Sequence, residues 1–244
     1  MTIRDWFIRT QFLALAAICM MGSGSTPLQA QTLMQAPLGE IKAPVMSLYV
    51  LRLDPGQTGT PHSHDRAIFA YILEGEIENQ IEPDPPKILR AGDFFHELPN
   101  QVHRVFRNVS ATEPVRILMF QNRPMLSPEG TLPPGVESKS RLQEPLADVP
   151  SPDVSLTKIT TAPGTSSAGA HQHPGPVFAY LLKGEVESQV DPDPPKTYRA
   201  GDVFYELPMH AHRLYRNLST TEPAELLVFQ IREKGKPFSV GVDK

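Results

Sequence analysis

The chain of 244 residues carries a formal net charge of −4 and a pI near 6.1, which gives it no electrostatic claim on nucleic acid or an anionic membrane and leaves small molecules or proteins as partners. Its 26 prolines against 16 glycines suit short strands punctuated by turns better than long helices. The expected class is all-β.

At the N-terminus, Arg4 and Arg9 precede the apolar run FLALAAICMM, and LQA ends in a small residue before Gln31. This pattern is that of an export signal, residues 1–30, with cleavage expected after Ala30. The apolar run is about ten residues, well short of the roughly 20 that a membrane-spanning helix requires, so an uncleaved anchor is the weaker reading. The expected product is exported, periplasmic or secreted, without stable membrane association after cleavage. The single cysteine, Cys19, lies within the signal, so the mature chain carries none. Disulfides and thiolate sites are excluded, and any metal must rely on histidine and carboxylate.

Beyond the signal the chain reads as strand and turn throughout. SLYVLRLDPG opens the first unit at Ser47. FAYILEGEIENQI then leads into a PDPPK turn, ILRAGDFFHEL into a proline turn, and VHRVFRNVS and VRILMFQ have the β-branched and aromatic content of strands. Residues 62–121 then align without a gap onto 171–230 at a shift of 109, with 34 identities in 60 positions. This is a tandem duplication, its period too long for a solenoid. The expected division is a first unit over 31–122, a proline-, glycine- and serine-bearing linker over 123–145 without apolar periodicity, and a second unit over 146–244. Many short strands at regular spacing are most economically closed into an antiparallel barrel or sandwich that hides its edges.

The chemistry concentrates in histidines. His62 and His64 stand at i and i+2, as do His171 and His173, and on a strand such residues share a face about 6.6 Å apart. A metal ion roughly 2.0–2.1 Å from each nitrogen fits between two such imidazoles if a third ligand comes from a neighbouring strand. His103 and His212 are the candidates for that third ligand.

With these residues the chain resembles a bicupin, two jelly-roll cupin domains of double-stranded β-helix form in tandem. Gly56, His62, His64 and Gly75 match the first cupin motif, and Gly92, Pro99, His103 and Asn108 the second. In the second unit Gly164 stands one residue further from His171, while His173, Gly184, Gly201, Pro208, His212 and Asn217 keep the pattern. Two features depart from it. Ile68 and Val177 stand where the family has a glutamate ligand, and Asn100 and His210 where the second motif's turn has glycine.

Glu97 and Glu206, each two residues before the turn proline, are candidates for the missing oxygen ligand or for a general base. The alternative is an outward carboxylate paired with Arg104 or Arg107, and with Arg213 or Arg216. Gln121 and Gln230 either point into the barrel or merely end a strand. His96 is Tyr205 in the second copy, which argues against a ligand role.

The resemblance implies a divalent transition metal ion, with iron, manganese, zinc, nickel and copper not distinguished. It also implies a small organic substrate, with dioxygenase chemistry ahead of isomerase or lyase chemistry. The alternative is a ligand-binding or structural bicupin without catalysis. A homo-oligomer stays open.

Overall fold

The computed structural model describes residues 28–37, 45–122, 132, 134–145, 149, 151–167 and 169–242. Most of the segment expected to be an export signal, residues 1–27, lies outside them, and among the described residues no helix is long and apolar enough to cross a membrane.

The described chain is all strand and turn. β1 (Gln29–Pro37) is followed by the first unit: β2 (Val45–Leu53), β3 (His62–Ser63), β4 (Ile68–Glu74), β5 (Glu76–Ile81), β6 (Lys87–Arg90), β7 (Phe94–Glu97), β8 (Val102–Asn108) and β9 (Val115–Gln121). β10 (Val136–Pro145) leads to the second unit: β11 (Pro152–Thr161), β12 (His171–Gln172), β13 (Val177–Lys183), β14 (Glu185–Val190), β15 (Lys196–Arg199), β16 (Val203–Glu206), β17 (His212–Asn217), β18 (Ala224–Glu233) and β19 (Val240–Gly241).

Each unit pairs a five-stranded sheet with a second sheet. In the first these run β10-β2-β9-β4-β7 and β3-β8-β5-β6; in the second, β1-β11-β18-β13-β16 and β15-β14-β17-β12-β19. This double-sheet arrangement is a jelly roll. The apolar core of each unit lies inside it, built from residues such as Ile68, Ala70, Ile72, Ile117 and Met119 in the first and Val177, Ala179, Leu181, Leu226 and Val228 in the second.

The intervening residues of the same strands build a third core, which joins the units. Phe69, Tyr71, Leu118 and Phe120 meet Phe178, Tyr180, Leu227 and Phe229 in one cluster. The rings of Phe120 and Phe229 stack with centroids 4.7 Å apart, and Phe120 meets Phe178 at 5.1 Å. A strand buried on both faces has no polar side to display, which is why FAYIL and ILMF read as unbroken apolar runs rather than as alternation.

Two segments depart from the expected domain division. β1 precedes the first unit in sequence but pairs with β11 of the second, from Gln29 opposite Thr160 to Pro37 opposite Asp153. Residues 136–145, expected to be linker, form β10 and pair along the whole of β2. Both are outermost strands of their sheets. β10 needs no regular apolar alternation because an outermost strand keeps one edge and much of its surface in water, and charged side chains there discourage pairing with another chain. The units are thus tied by exchanged edge strands as well as by their shared core.

The turn chemistry also differs in one detail. The left-handed residues before the second-motif histidines are Asn100 (φ 65°) and Met209 (φ 61°), so the second unit's strained position is Met209 and not His210. Gly75 (φ 83°) is obligatory on two grounds, its backbone angle and the absence of room, since an added Cβ would lie 2.8 Å from Val115 Cγ2.

Phe120 is fully buried between the units. Phe120→Ala is expected to cost about 3–5 kcal/mol, read as a lower denaturation midpoint in urea; a loss below about 1 kcal/mol would mean the shared core is not a principal source of stability.

Candidate metal centre

In the first unit the predicted residues converge. His62 and His64 lie on and just after β3, with ring centroids 4.9 Å apart. His103 enters from β8, directly opposite His62 in the ladder, with its ring 5.1 Å from that of His62. His171, His173 and His212 repeat the arrangement, with both ring separations from His171 at 5.0 Å.

Glu97 and Glu206 are turned into the barrels, with only 2 % and 3 % of their surface exposed. The outward alternative is excluded by the arginines themselves. Arg104 and Arg107 pair with Glu82 and Glu78, and Arg213 and Arg216 with Asp191 and Glu187. Glu97 Oε1 lies 3.0 Å from His103 Nδ1 and Oε2 lies 3.7 Å from His64 Nε2. In the second unit Glu206 Oε1 lies 3.2 Å from His212 Nδ1 and Oε2 lies 3.5 Å from His173 Nε2.

Sheet register explains how a carboxylate reaches the place the motif leaves empty. Ile68 faces Glu97 across β4 and β7, and Val177 faces Glu206 across β13 and β16. Residues directly opposite in an antiparallel pair share a face about 4.5–5.5 Å apart. The carboxylate is thus presented by the neighbouring strand, directly opposite the aliphatic residue.

The ring nitrogens are oriented from behind. His62 Nδ1 lies 2.8 Å from the Thr60 carbonyl, and His173 Nδ1 lies 2.8 Å from the Phe238 carbonyl. A carbonyl only accepts, so Nδ1 carries the proton in both and Nε2 presents a lone pair to the site. His103 is held the other way round: its Nε2 lies 2.8 Å from Asn79 Oδ1, which leaves Nδ1 towards Glu97. Ser188 Oγ holds His212 Nε2 at 2.8 Å in the second unit. With Nε2–H donated to Asn79, the Nδ1 lone pair of a neutral His103 confronts a carboxylate oxygen at 3.0 Å. A proton or a cation must lie between them. Support of this kind behind His62, His103, His173 and His212 is characteristic of metal-ligating histidines.

These atoms fit an ion. Two ligand atoms each roughly 2.0–2.2 Å from a common centre are themselves about 3–3.6 Å apart, close to the separations from glutamate to histidine. His62, His64 and Glu97 form one compact set of donor atoms, and His171, His173 and His212 the other, each within 4.8 Å. Glu97 Oε2 and Glu206 Oε2 are buried without a hydrogen-bond partner. Burial pushes the Glu206 carboxyl up, but the hydrogen bond from His212 and the charges of His212, His173 and His171 outweigh it, and the net direction is down. Burial, reinforced by His212 and His173, pushes His171 below its ordinary value, which keeps its lone pair available.

The other sequence candidates separate cleanly. Gln121 ends β9 whereas Gln230 lies within β18, and both are buried, opposite Ile68 and Val177 on the side away from the glutamates. His96 stacks on Phe69 on the face towards the other unit, outside the barrel. Asn79 and Ser188 were missed by the motif pattern. Their signal was legible, a polar residue at an inward position of the alternating strand EIENQI and its copy. The role of the Phe238 carbonyl has no sequence signal.

Two jelly rolls in tandem, each with a histidine and carboxylate cluster inside its barrel, define a bicupin. A cupin domain profile matches residues 49–121 and 157–230, and the chain belongs to the cupin family. Solved structures similar to it include salicylate 1,2-dioxygenase from Pseudaminobacter salicylatoxidans, at 13 % identity and TM-score 0.55 over 77 % of this chain and 71 % of that one. Oxalate decarboxylase from Bacillus subtilis, a protein with Mn(II) centres, is similar at 18 % identity and TM-score 0.55 over 91 % and 81 %. AerE from Microcystis aeruginosa is similar at 19 % identity and TM-score 0.55 over 83 % and 99 %. At these identities the likeness is one of fold. No curated protein matches the chain by sequence.

Both His171 and Glu206 have folded pKa values below their ordinary ones, so each contributes stability that is full above its ordinary value and lost as pH falls. Metal-free protein is therefore expected to lose stability in urea as pH drops below 6.5, and further below 4.5. His171→Gln should flatten the first part of the profile and Glu206→Gln the second; an unchanged profile in both variants would contradict the assignment.

Proposed function

We propose that the protein is a metal-dependent bicupin enzyme acting on a small, oxygen-bearing organic substrate, with one divalent transition ion held in each unit by three histidines and a glutamate. His62, His64, His103 and Glu97 would hold the first ion; His171, His173, His212 and Glu206 the second. The observation that carries this reading is the orphaned, buried oxygen of each glutamate, facing a histidine nitrogen at 3.7 or 3.5 Å. A carboxylate so placed pays a large desolvation cost unless a cation compensates it.

Such an ion, when bound, polarises a substrate oxygen and, if redox-active, activates dioxygen. The chain's own contribution is to hold three imidazoles and one carboxylate at the barrel mouth, leaving coordination positions for substrate. Dioxygenase chemistry is the leading subclass, in keeping with the salicylate dioxygenase among the similar folds; the metal's identity and the substrate belong to experiment. A second reading, in which an ion only secures the barrel mouth, is favoured for the second unit, where His173 and Glu206 side chains are each only 5 % exposed.

Elemental analysis of protein expressed with a metal supplement and purified without an affinity-tag metal is expected to give close to two ions per chain. His62→Ala with His64→Ala, or His171→Ala with His173→Ala, should remove one. Glu97→Gln and Glu206→Gln should keep the fold but lower metal affinity about 10–100-fold. Oxygen uptake with a panel of hydroxylated aromatic acids tests the dioxygenase subclass. Background metal in both wild type and a variant lacking all four of these histidines would end the metal reading, and metal-replete protein without oxygen uptake would return the choice to other chemistry or to binding alone.

We also propose that the chain is exported and cleaved before Gln31. Gln29 and Ala30 already pair with β11, so cleavage there would trim β1 to Gln31–Pro37 and leave most of its ladder. Mass spectrometry of the product from the native host should show a chain starting at Gln31; a retained Met1 in the cytoplasmic fraction would contradict this.

A further inference from the structure

Beyond β18 the chain folds back over the second site. β19 runs antiparallel to β12, placing Gly241 opposite His171 and Val240 opposite Gln172. On the way, the Phe238 carbonyl receives two hydrogen bonds, from His173 Nδ1 at 2.8 Å and from Gln230 Nε2 at 2.7 Å. The Phe238 ring stands edge-on to the His173 imidazole, centroids 5.2 Å apart. A single residue of the C-terminal segment thus orients a candidate metal ligand and covers it.

Arg232 fastens this segment to the sheet. Its Nε donates to the Lys236 carbonyl at 3.1 Å, while Nη1 reaches Ser155 Oγ at 2.8 Å and Gln230 Oε1 at 3.0 Å. Gln230 is fully buried and has both ends of its amide engaged, one by Arg232 and one by Phe238. Its counterpart Gln121 has neither amide group hydrogen-bonded among the described residues. The contact of the Gln230 amide nitrogen with the Phe238 carbonyl belongs to the C-terminal segment, while its amide oxygen is held by Arg232 of β18.

The segment itself is lightly anchored. Glu233–Pro237, Ser239 and Gly241 are exposed, and only Phe238, Val240 and Val242 are half-buried. An element with so little buried apolar surface opens locally at a small fraction of the free energy of global unfolding.

We propose that Lys234–Val242 is a latched cap on the second site. Its Phe238 carbonyl positions His173, Gln230 and Arg232 hold that carbonyl in place, and whatever occupies the site exchanges only when the segment lifts. Arg232 and Gln230 are positioning residues, acting on the site through Phe238. The ion-release part of the proposal rests on the metal reading above; the positioning of His173 does not.

The test has a metal-free arm and a metal arm. In the metal-free full chain, Arg232→Ala should raise both backbone hydrogen exchange across 238–242 and carbethoxylation of His173 by about tenfold, as expected for loss of a latch made of several hydrogen bonds. Modification of His64 serves as the internal reference and should not change. Phe238→Ala, which leaves the latch intact but removes the ring over His173, should raise the modification of His173 without raising that of His64. In the metal arm, a chain carrying His62→Ala and His64→Ala is loaded with Mn(II) and challenged with a chelator. Adding Arg232→Ala should speed release about 10–100-fold, whereas the same change beside His171→Ala and His173→Ala should leave first-site release unaltered. Unchanged exchange and unchanged His173 modification in both variants would overturn the cap. A positive metal-free arm with no Mn(II) retained by either background would sustain the cap and overturn the metal reading.

Discussion

An ionised carboxylate inside an apolar barrel is tolerable only if positive charge or a set of donors compensates it, and each unit of this protein is arranged around one such group. Glu97 and Glu206 sit on the short strands β7 and β16, inward and out of reach of the surface arginines. Everything nearby converges on them: two histidines from the loop and strand at the barrel mouth, and a third from the strand that pairs with it. Asn79, Ser188, Thr60 and the Phe238 carbonyl then orient the rings of His103, His212, His62 and His173. The acid offsets the repulsion that protonation would bring to His62, whose ring lies about 5 Å from those of both His64 and His103.

The scaffold that holds these groups owes its rigidity to the pairing of the two units. Strands β4, β9, β13 and β18 are buried on both faces, one lining a barrel and the other the joint core. The same strands carry Ile68, Gln121, Val177 and Gln230, so the inner faces that set the site's register are continuous with the packing that joins the units. Exchange of the outer strands β1 and β10 closes the arrangement, since the sheet that joins the shared core in each unit is completed by a segment lying outside the duplicated block.

Much of this was legible in the amino-acid order, and the exceptions have physical causes. The duplication was plain because identities fell at a constant shift, and the histidines were plain because they recurred in both copies. The direction of Glu97 was not. A carboxylate before a proline turn suits either face, and only the ladder between Ile68 and Glu97 decides between them. β10 was hidden by its polar composition, which an outermost strand shares with a linker. The position of β1 was hidden because nothing local states which of two similar sheets a strand will join. The C-terminal cap was hidden most deeply, since its essential contact is made by a backbone carbonyl that any residue at position 238 would offer.

The central claim is that each buried glutamate and its three histidines share one ion. Anomalous diffraction from Mn(II)-soaked crystals tests it most directly. The account predicts one peak per unit, within about 2.0–2.3 Å of a glutamate oxygen and of three histidine nitrogens. Peaks confined to surface carboxylates, with Glu97 and Glu206 hydrogen-bonded to protonated histidines in otherwise ordered barrels, would contradict it.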